Sequence, residues 1–113
     1  NQFALLGYSV DKPTFRDTLR KSDICFMKND EYLIELICPY QVGSPVDNLI
    51  KKIRNAPYHI CYVTEDIQGD LDCFTKEGYL QLGMIEQAPA IGETSQVVFL
   101  MSPDIGMIEL VEL

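Results

Sequence analysis

Several signatures of common protein classes are absent from this 113-residue sequence. No apolar run approaches the roughly twenty residues that a membrane-spanning helix needs, and no secretory signal peptide is visible. The sequence also contains no Walker loop, no nucleotide fingerprint and no serine-triad motif. These absences argue against membrane insertion, nucleotide binding and serine hydrolysis, and we expect a cytoplasmic protein.

Positive charge is scarce. The sequence has 9 Lys and Arg against 17 Asp and Glu, so the net charge is -8 and the pI is about 4.4. The average surface field would repel a phosphate backbone, which argues against nucleic-acid binding. The basic residues form two clusters, Arg16, Arg20 and Lys21 in one and Lys51, Lys52 and Arg54 in the other. Each is most simply a solvated surface, and the alternative is a site for the anionic tail of a ligand.

Paired cysteine motifs are absent as well. The four cysteines show no CxxC spacing and fall mostly within apolar strand or helix patterns, which predicts buried thiols in a reducing compartment. They are Cys25, Cys38, Cys61 and Cys73. Cys61 lies two residues after His59, so both side chains would project from one face of a strand. Core packing is the simpler interpretation of Cys61, and metal ligation is the alternative.

The sequence does contain one carboxylate within each of two apolar, strand-like runs, at residues 32–37 and 106–111. A charge in the middle of a strand is costly to bury unless it is paired or ligates a metal. The two carboxylates belong to a wider repeat, in which Gly7, Phe26 and Glu35 recur as Gly78, Phe99 and Glu109. The separations are 71, 73 and 74 residues, which predicts two decayed copies of one supersecondary unit.

The second copy can be assigned from end to end. Residues 58–63 are rich in aromatic and β-branched side chains and predict a strand. The helix that follows would be capped by Asp66 and stopped by Gly78. Its apolar stripe is Ile67, Leu71 and Phe74, and three further strands are predicted at residues 79–82, 96–101 and 107–111. The predicted order is βαβββ.

The first copy begins part of the way through the same pattern. Residues 1–6 predict the last turns of a helix that stops at Gly7. Strands are predicted at residues 8–10, 24–28 and 32–37. The opening strand of this copy and half of its helix would lie upstream of Asn1, and we attribute their absence to a truncated or partly disordered N-terminus.

A connector helix is predicted between the two copies. Ser44 can accept hydrogen bonds from first-turn amides, Pro45 suits the first helical position and Asp47 completes a capping box.

The composition predicts one compact domain, with 47% apolar residues and a mean hydropathy of +0.01. The predicted fold class is α+β. A partial first βαβββ module covers residues 1–43, the connector helix covers 44–56 and a second βαβββ module covers 57–113. Together the modules would form an open curved sheet around a cavity, with the first strand of repeat one missing.

His59 is the one histidine of the sequence and lies in the strand that opens the second copy. A lone strand histidine is most often a partly buried core residue. In a βαβββ unit, however, the first and last strands can lie side by side, which would bring His59 near Glu109. Pairing of the two sheets would bring Glu35 to the same cavity, and one imidazole with two carboxylates suits a divalent first-row metal.

The motifs together resemble the vicinal oxygen chelate superfamily, which includes glyoxalase I and methylmalonyl-CoA epimerase. The matching stretches are residues 34–37, 44–46, 58–62 and 106–112, and the resemblance covers nearly the whole chain. It implies that Glu35, His59 and Glu109 are metal ligands, with a fourth ligand upstream of Asn1. It also implies that Glu109 borders the reacting carbon and that an acid of the first module opposes it, for which Asp23 is the nearest candidate.

The resemblance further implies a metal-dependent isomerase or lyase that removes a proton next to a metal-bound carbonyl group. The metal would be zinc, nickel, cobalt or manganese, the substrate a thioester or hemithioacetal, and the assembly a homodimer. Lys51, Lys52 and Arg54 would bind an anionic tail of the substrate. The alternative is a non-catalytic module that binds or sequesters small molecules, in which Glu35 and Glu109 only pair with neighbours and His59 packs.

Overall fold

The computed structural model describes residues 2–113, which divide into two compact units between Asn55 and Ala56. The first unit contains α1 (Gln2–Leu5), β1 (Ser9–Val10), β2 (Phe15–Asp17), β3 (Ser22–Asn29), β4 (Tyr32–Pro39) and α2 (Asp47–Ile53). The second contains β5 (Ile60–Thr64), α3 (Ile67–Lys76), β6 (Leu80–Gln87), β7 (Gln96–Ser102) and β8 (Gly106–Glu112).

The α+β class and the βαβββ order of the second copy are confirmed. Asn1, with which the predicted N-terminal helix starts, lies outside the described residues.

The first unit is built on an antiparallel sheet with β3 at its centre. One edge of β3 pairs with β4, and the other edge pairs with β1 at one end and β2 at the other. Residues 11–14 separate β1 from β2 and include Pro13, which has no amide hydrogen for a strand ladder. The two short strands thus form one interrupted strand, and the sequence analysis missed its second half.

The second unit is a four-stranded sheet in the order β5-β8-β7-β6. β5 and β8 run parallel, with Ile60 opposite Ile108 and Thr64 opposite Glu112, and the other neighbours are antiparallel. Parallel neighbours need a crossover connection, which α3 begins directly after β5. The first and last strands of this βαβββ unit therefore lie side by side, as the sequence predicts.

Helix α3 begins and ends where its sequence predicts. The Asp66 carboxylate accepts a hydrogen bond from the Gly69 amide at 3.0 Å, and Gly78 follows the helix with φ at +97°. The core of the unit consists of Ile67, Leu71, Val98, Leu100, Ile108 and Leu110, with Phe74 packed against it. The predicted apolar stripe is confirmed. No helix among residues 2–113 combines the length and apolar character that crossing a membrane requires.

The connector helix is shorter than predicted. It begins at Asp47, and the Ser44 hydroxyl group lies buried 2.9 Å from the Ser22 hydroxyl group instead of capping the helix. The Asp47 carboxylate accepts from the Gly43 amide at 2.8 Å, so it holds the loop before the helix. The predicted start at Ser44 was wrong: its hydroxyl group accepts from the Val46 amide at 3.4 Å and also contacts Ser22 of β3, and the helix begins only at Asp47.

The cysteines are not buried as predicted. Cys38, Cys61 and Cys73 are exposed, and Cys25 is half-buried. Cys61 belongs to β5, the edge strand of its sheet, where residues 60–63 are all exposed. An apolar strand pattern predicts the strand, but burial also requires a neighbouring layer over that face.

Leu71 and Cys73 provide a matched test of this packing, because both lie on α3 but only Leu71 is buried, at 4% exposure. Replacing Leu71 by Ala should lower the free energy of unfolding by about 2–5 kcal/mol, since it removes buried methyl groups and leaves a cavity. Replacing Cys73 by Ala should change it by less than about 0.5 kcal/mol. Urea unfolding measures both, and equal losses would contradict the assigned core.

Candidate functional site

His59 and Glu109 meet on one face of the second unit's sheet. In the parallel pairing of β5 with β8, Cys61 lies opposite Glu109, and His59 precedes Cys61 by one strand period. The His59 Nε2 atom lies 3.3 Å from Glu109 Oε1. The two side chains are 10% and 7% exposed, so the pair is largely withdrawn from water. The predicted proximity of His59 and Glu109 is confirmed within this unit.

Two aromatic rings enclose the imidazole. The Tyr58 ring centroid lies 4.4 Å from that of His59, and the Phe99 centroid lies 5.1 Å away, nearly perpendicular at 83°. Phe99 is the cross-strand neighbour of Glu109 in the β7–β8 hairpin, so it shares the face of the pair. The rings therefore restrict the imidazole and give the site an apolar wall.

The sequence analysis missed Phe99 as part of this site. The signal was available in the hairpin, because a turn around residues 103–105 sets Phe99 opposite Glu109. The first unit repeats the arrangement, since Phe26 of β3 lies opposite Glu35 of β4. Each of the two strand glutamates thus has a phenylalanine as its cross-strand partner, which supports the internal repeat.

The hydrogen bonds of the imidazole are incomplete. The Nε2 atom of His59 faces the Glu109 carboxylate and makes its one hydrogen bond there. The Nδ1 atom is buried and has no hydrogen-bond partner within residues 2–113. A buried polar atom without a partner costs about 1–3 kcal/mol, which indicates that a further group completes the site.

The pair fits two neighbouring ligands of a metal ion. Ligand nitrogen and oxygen atoms lie about 2.0–2.2 Å from zinc, so two adjacent ligand atoms lie about 3.0–3.5 Å apart. The observed separation of 3.3 Å between His59 Nε2 and Glu109 Oε1 falls within that range. Across residues 2–113, however, no group of three or more His, Cys, Asp or Glu side chains is gathered as a metal site. The fit therefore concerns two ligands.

Glu35, the third predicted ligand, belongs to the other unit. It lies in the middle of β4, half-buried, on the sheet face that carries Ile24 and Phe26 of β3. Its role as a ligand stays a prediction. The fourth ligand, predicted upstream of Asn1, lies outside the described residues.

Asp23 lies on the opposite face of that sheet from Glu35. The register sets Asp23 opposite Arg16 and Cys38, whereas Glu35 is opposite Phe26, so the two acids alternate in direction. Arg16 Nε and Nη2 donate to the two carboxylate oxygens of Asp23 at 2.8 and 2.9 Å. Asp23 and Glu35 therefore project from opposite faces of this sheet, and the role of Asp23 as the acid that opposes Glu109 stays a prediction.

The charge pair also changes how Asp23 can act. The hydrogen bonds from Arg16 lower the pKa of the Asp23 carboxyl group below its ordinary value, and the bond to Asp23 raises the pKa of Arg16. A carboxylate held in this way is a weak base. The Arg16 guanidinium group also lies over the Tyr40 ring, 4.1 Å from its centroid. These contacts fix the position of the Asp23 carboxylate within the first unit.

The two arginines of the first basic cluster are paired with carboxylates of the same unit. Arg16 is paired with Asp23, and Arg20 Nη1 lies 2.8 Å from the buried carboxylate of Asp17. In the second cluster, Lys51 and Lys52 belong to the last turn of α2, Arg54 follows the helix, and all three are exposed. The second cluster is therefore the better candidate for an anionic tail, and that role stays a prediction.

A groove of about 360 Å³ lies on the other side of the second unit's sheet. Its lining includes Tyr62, Phe74 and Ile108, on the face that carries α3. Ile108 alternates with Glu109 along β8, so the groove and the His59–Glu109 pair are on opposite faces. The groove is thus separate from the candidate site.

A protein-family model matches most of the chain. It is described as the Glyoxalase/Bleomycin resistance protein/Dioxygenase superfamily, and the match covers residues 1–104. No curated protein sequence matches the chain. The family match confirms the resemblance inferred from the strand motifs.

Solved structures with similar folds include a hypothetical protein from Bacillus halodurans, at a TM-score of 0.84 and 20% identity, covering 99% of this chain and 80% of that chain. A Streptomyces coelicolor methylmalonyl-CoA epimerase variant in complex with 2-nitronate-propionyl-CoA has a TM-score of 0.78 and 21% identity, covering 96% and 79%. The Mycobacterium tuberculosis methylmalonyl-CoA epimerase has a TM-score of 0.77 and 16% identity, covering 95% and 72%. At these identities the similarity establishes the fold.

The Arg16–Asp23 ion pair should make the stability of the folded protein depend on pH. Because the folded pKa of Asp23 is below 3.8, the pair stabilises the protein above that pH, and its contribution is lost as the pH falls through the folded pKa. Replacing Asp23 by Asn should therefore cause a small loss of stability at pH 7 that disappears in acid. Urea unfolding of both proteins across this range measures the difference. The exposed Asp104→Asn variant is the control, and a loss for Asp23→Asn that persists in acid would contradict the pair.

Proposed function

This chain belongs to the glyoxalase/bleomycin resistance protein/dioxygenase superfamily, and from that membership we propose that it is a metal-dependent isomerase or lyase. The proposed reaction begins with removal of a proton next to a carbonyl group. The observation that carries the proposal is the buried His59–Glu109 pair, with its 3.3 Å spacing between a nitrogen and an oxygen ligand atom.

We propose His59 and Glu109 as ligands of the metal, and Glu35 stays the third ligand that the resemblance predicts. A divalent metal supplies Lewis-acid polarisation of the substrate carbonyl group when it is bound. Imidazole nitrogen and carboxylate oxygen together suit zinc, nickel, cobalt or manganese. The unpartnered Nδ1 atom of His59 would carry a hydrogen in that state and would need an acceptor, such as a water molecule or a ligand atom.

The residues around the pair have separate tasks in this proposal. Glu109 would accept the proton from the carbon next to the carbonyl group at the carboxylate oxygen that does not face His59. Tyr58 and Phe99 would keep water from the imidazole, and low polarity strengthens each electrostatic contact at the site. Asp23 is a poor second base, since Arg16 holds its carboxylate on the opposite face from Glu35.

The substrate that we favour is a thioester or hemithioacetal. Epimerases of similar fold have been solved with methylmalonyl-CoA and with 2-nitronate-propionyl-CoA, which supports a thioester. Lys51, Lys52 and Arg54 would bind the anionic tail, against a net charge of -8 for the chain. A homodimer and a cytoplasmic location stay predictions of the resemblance.

A non-catalytic binding module of the same superfamily is the second candidate. The observation that favours it is the direct contact between His59 and Glu109, together with the packing of His59 between two aromatic rings. In that case the pair would form a wall of the ligand site, and no proton would be transferred.

Metal binding distinguishes the two candidates. The native protein should bind about one equivalent of zinc, nickel, cobalt or manganese, measured by mass spectrometry of the metal content and by calorimetry. Replacing Glu109 by Gln or His59 by Asn should weaken the binding by more than the ~10–100-fold that is typical of outer-shell partners, because each removes a ligand. The Asp104→Asn variant should bind like the native protein.

The catalytic step can be measured separately. The assay follows by NMR how the proton next to the carbonyl group of methylmalonyl-CoA, or of a glutathione hemithioacetal, exchanges for deuterium. The metal-loaded native protein should catalyse this exchange, and the Glu109→Gln variant should not. Exchange retained by Glu109→Gln would remove Glu109 from the catalytic role. A native protein that takes up no metal after loading would favour the binding module.

A further inference from the structure

The strand that leads from His59 is held by few apolar contacts. β5 is the edge strand of its sheet, and Ile60, Tyr62 and Val63 are 64%, 47% and 68% exposed. Of its five residues only Thr64 is buried. Apolar burial along β5 therefore does little to fix its position against β8.

The alignment of these two strands decides whether the site forms. Side chains alternate between the faces of a strand, so a slip of one residue would move His59 to the face opposite Glu109. The pairing runs from Ile60 opposite Ile108 to Thr64 opposite Glu112, and His59 lies just before its first residue pair. The register depends on what holds the chain next to β5, where Ile67 of α3 is buried in the core.

Polar bonds add to this packing at the far end of the pairing. The Thr64 hydroxyl group accepts from the Asp66 amide at 3.0 Å and donates to the Asp70 carboxylate. The Glu112 carboxylate accepts from the Ile67 amide at 2.8 Å. Since Ile67 is the first residue of α3, this last bond ties β8 directly to the chain that leaves β5.

We propose that Glu112 is a positioning residue, which fixes the register of β5 against β8 and so keeps His59 facing Glu109. The bond is charge-assisted and lies at the positive end of the α3 dipole, which makes it stronger than an ordinary surface hydrogen bond. Its importance for catalysis rests on the proposed function, but its effect on the His59–Glu109 pair does not.

Asp66 provides a matched control. It also accepts a hydrogen bond from the first turn of α3, at Gly69, but it belongs to the chain between β5 and α3 and makes no link to β8. Replacing Asp66 by Ala should weaken the helix by loss of its cap. It should leave the alignment of β5 with β8 intact, so a loss of stability alone can be separated from a loss of register.

The imidazole of His59 reports the register in the metal-free protein, because it is the one histidine of the chain and its NMR signals need no further assignment. In the native protein the His59 ring should show nuclear Overhauser contacts with the ring of Phe99, whose centroid lies 5.1 Å away. Glu112→Ala should lose these contacts, Asp66→Ala should keep them, and Glu112→Gln should largely restore them because its amide oxygen can still accept from Ile67.

Glu112→Asp keeps the charge but is one methylene too short for the bond, so it tests the same point if Glu112→Ala does not fold. A native His59 spectrum in Glu112→Asp, or an equal disturbance in Asp66→Ala, would overturn the proposal. Metal affinity is the second readout and should fall about 10-fold or more in Glu112→Ala. If the native protein binds no metal, the proposed function fails, while the His59 spectra still decide the role of Glu112.

Discussion

The parallel pairing of β5 with β8 is the constraint on which the rest of the second unit depends. It brings together His59 and Glu109, which are 50 residues apart in the chain. Parallel neighbours cannot be joined by a tight hairpin, so the chain must cross over, and α3 begins that crossover. The helix then covers one face of the sheet with Ile67 and Leu71, and the buried pair lies on the other face. Core and candidate site are thus consequences of one pairing.

The second unit could be predicted closely because its signals are local and agree with one another. Asp66, Gly78 and the spacing of Ile67 and Leu71 each indicate the same helix, and the strands on either side are too apolar to be loops. The neighbourhood of His59 and Glu109 then follows from the βαβββ order. Phe99 required one further step, the register of a hairpin, and that step depends on the length of the turn.

The wrong predictions concern burial and long-range hydrogen bonds, which a local sequence pattern does not determine. The apolar strand around Cys61 predicts burial of its thiol, although β5 is an edge strand. The capping pattern at Ser44 does not reveal the long-range partner of that residue, the hydroxyl group of Ser22. In each case a distant contact overrides a local signal.

The proposed metal would account for the burial of Glu109 beside His59. The Glu109 side chain is 7% exposed, and withdrawing a carboxylate from water is costly unless its charge is compensated. The His59 imidazole faces this carboxylate, and a neutral imidazole supplies one hydrogen bond to a group with about four acceptor positions. A 3.3 Å contact is also long for a charge-assisted bond, which is typically about 2.7–2.9 Å. The spacing is long for the hydrogen bond but suits two neighbouring ligands, and a divalent ion between them would compensate the buried charge.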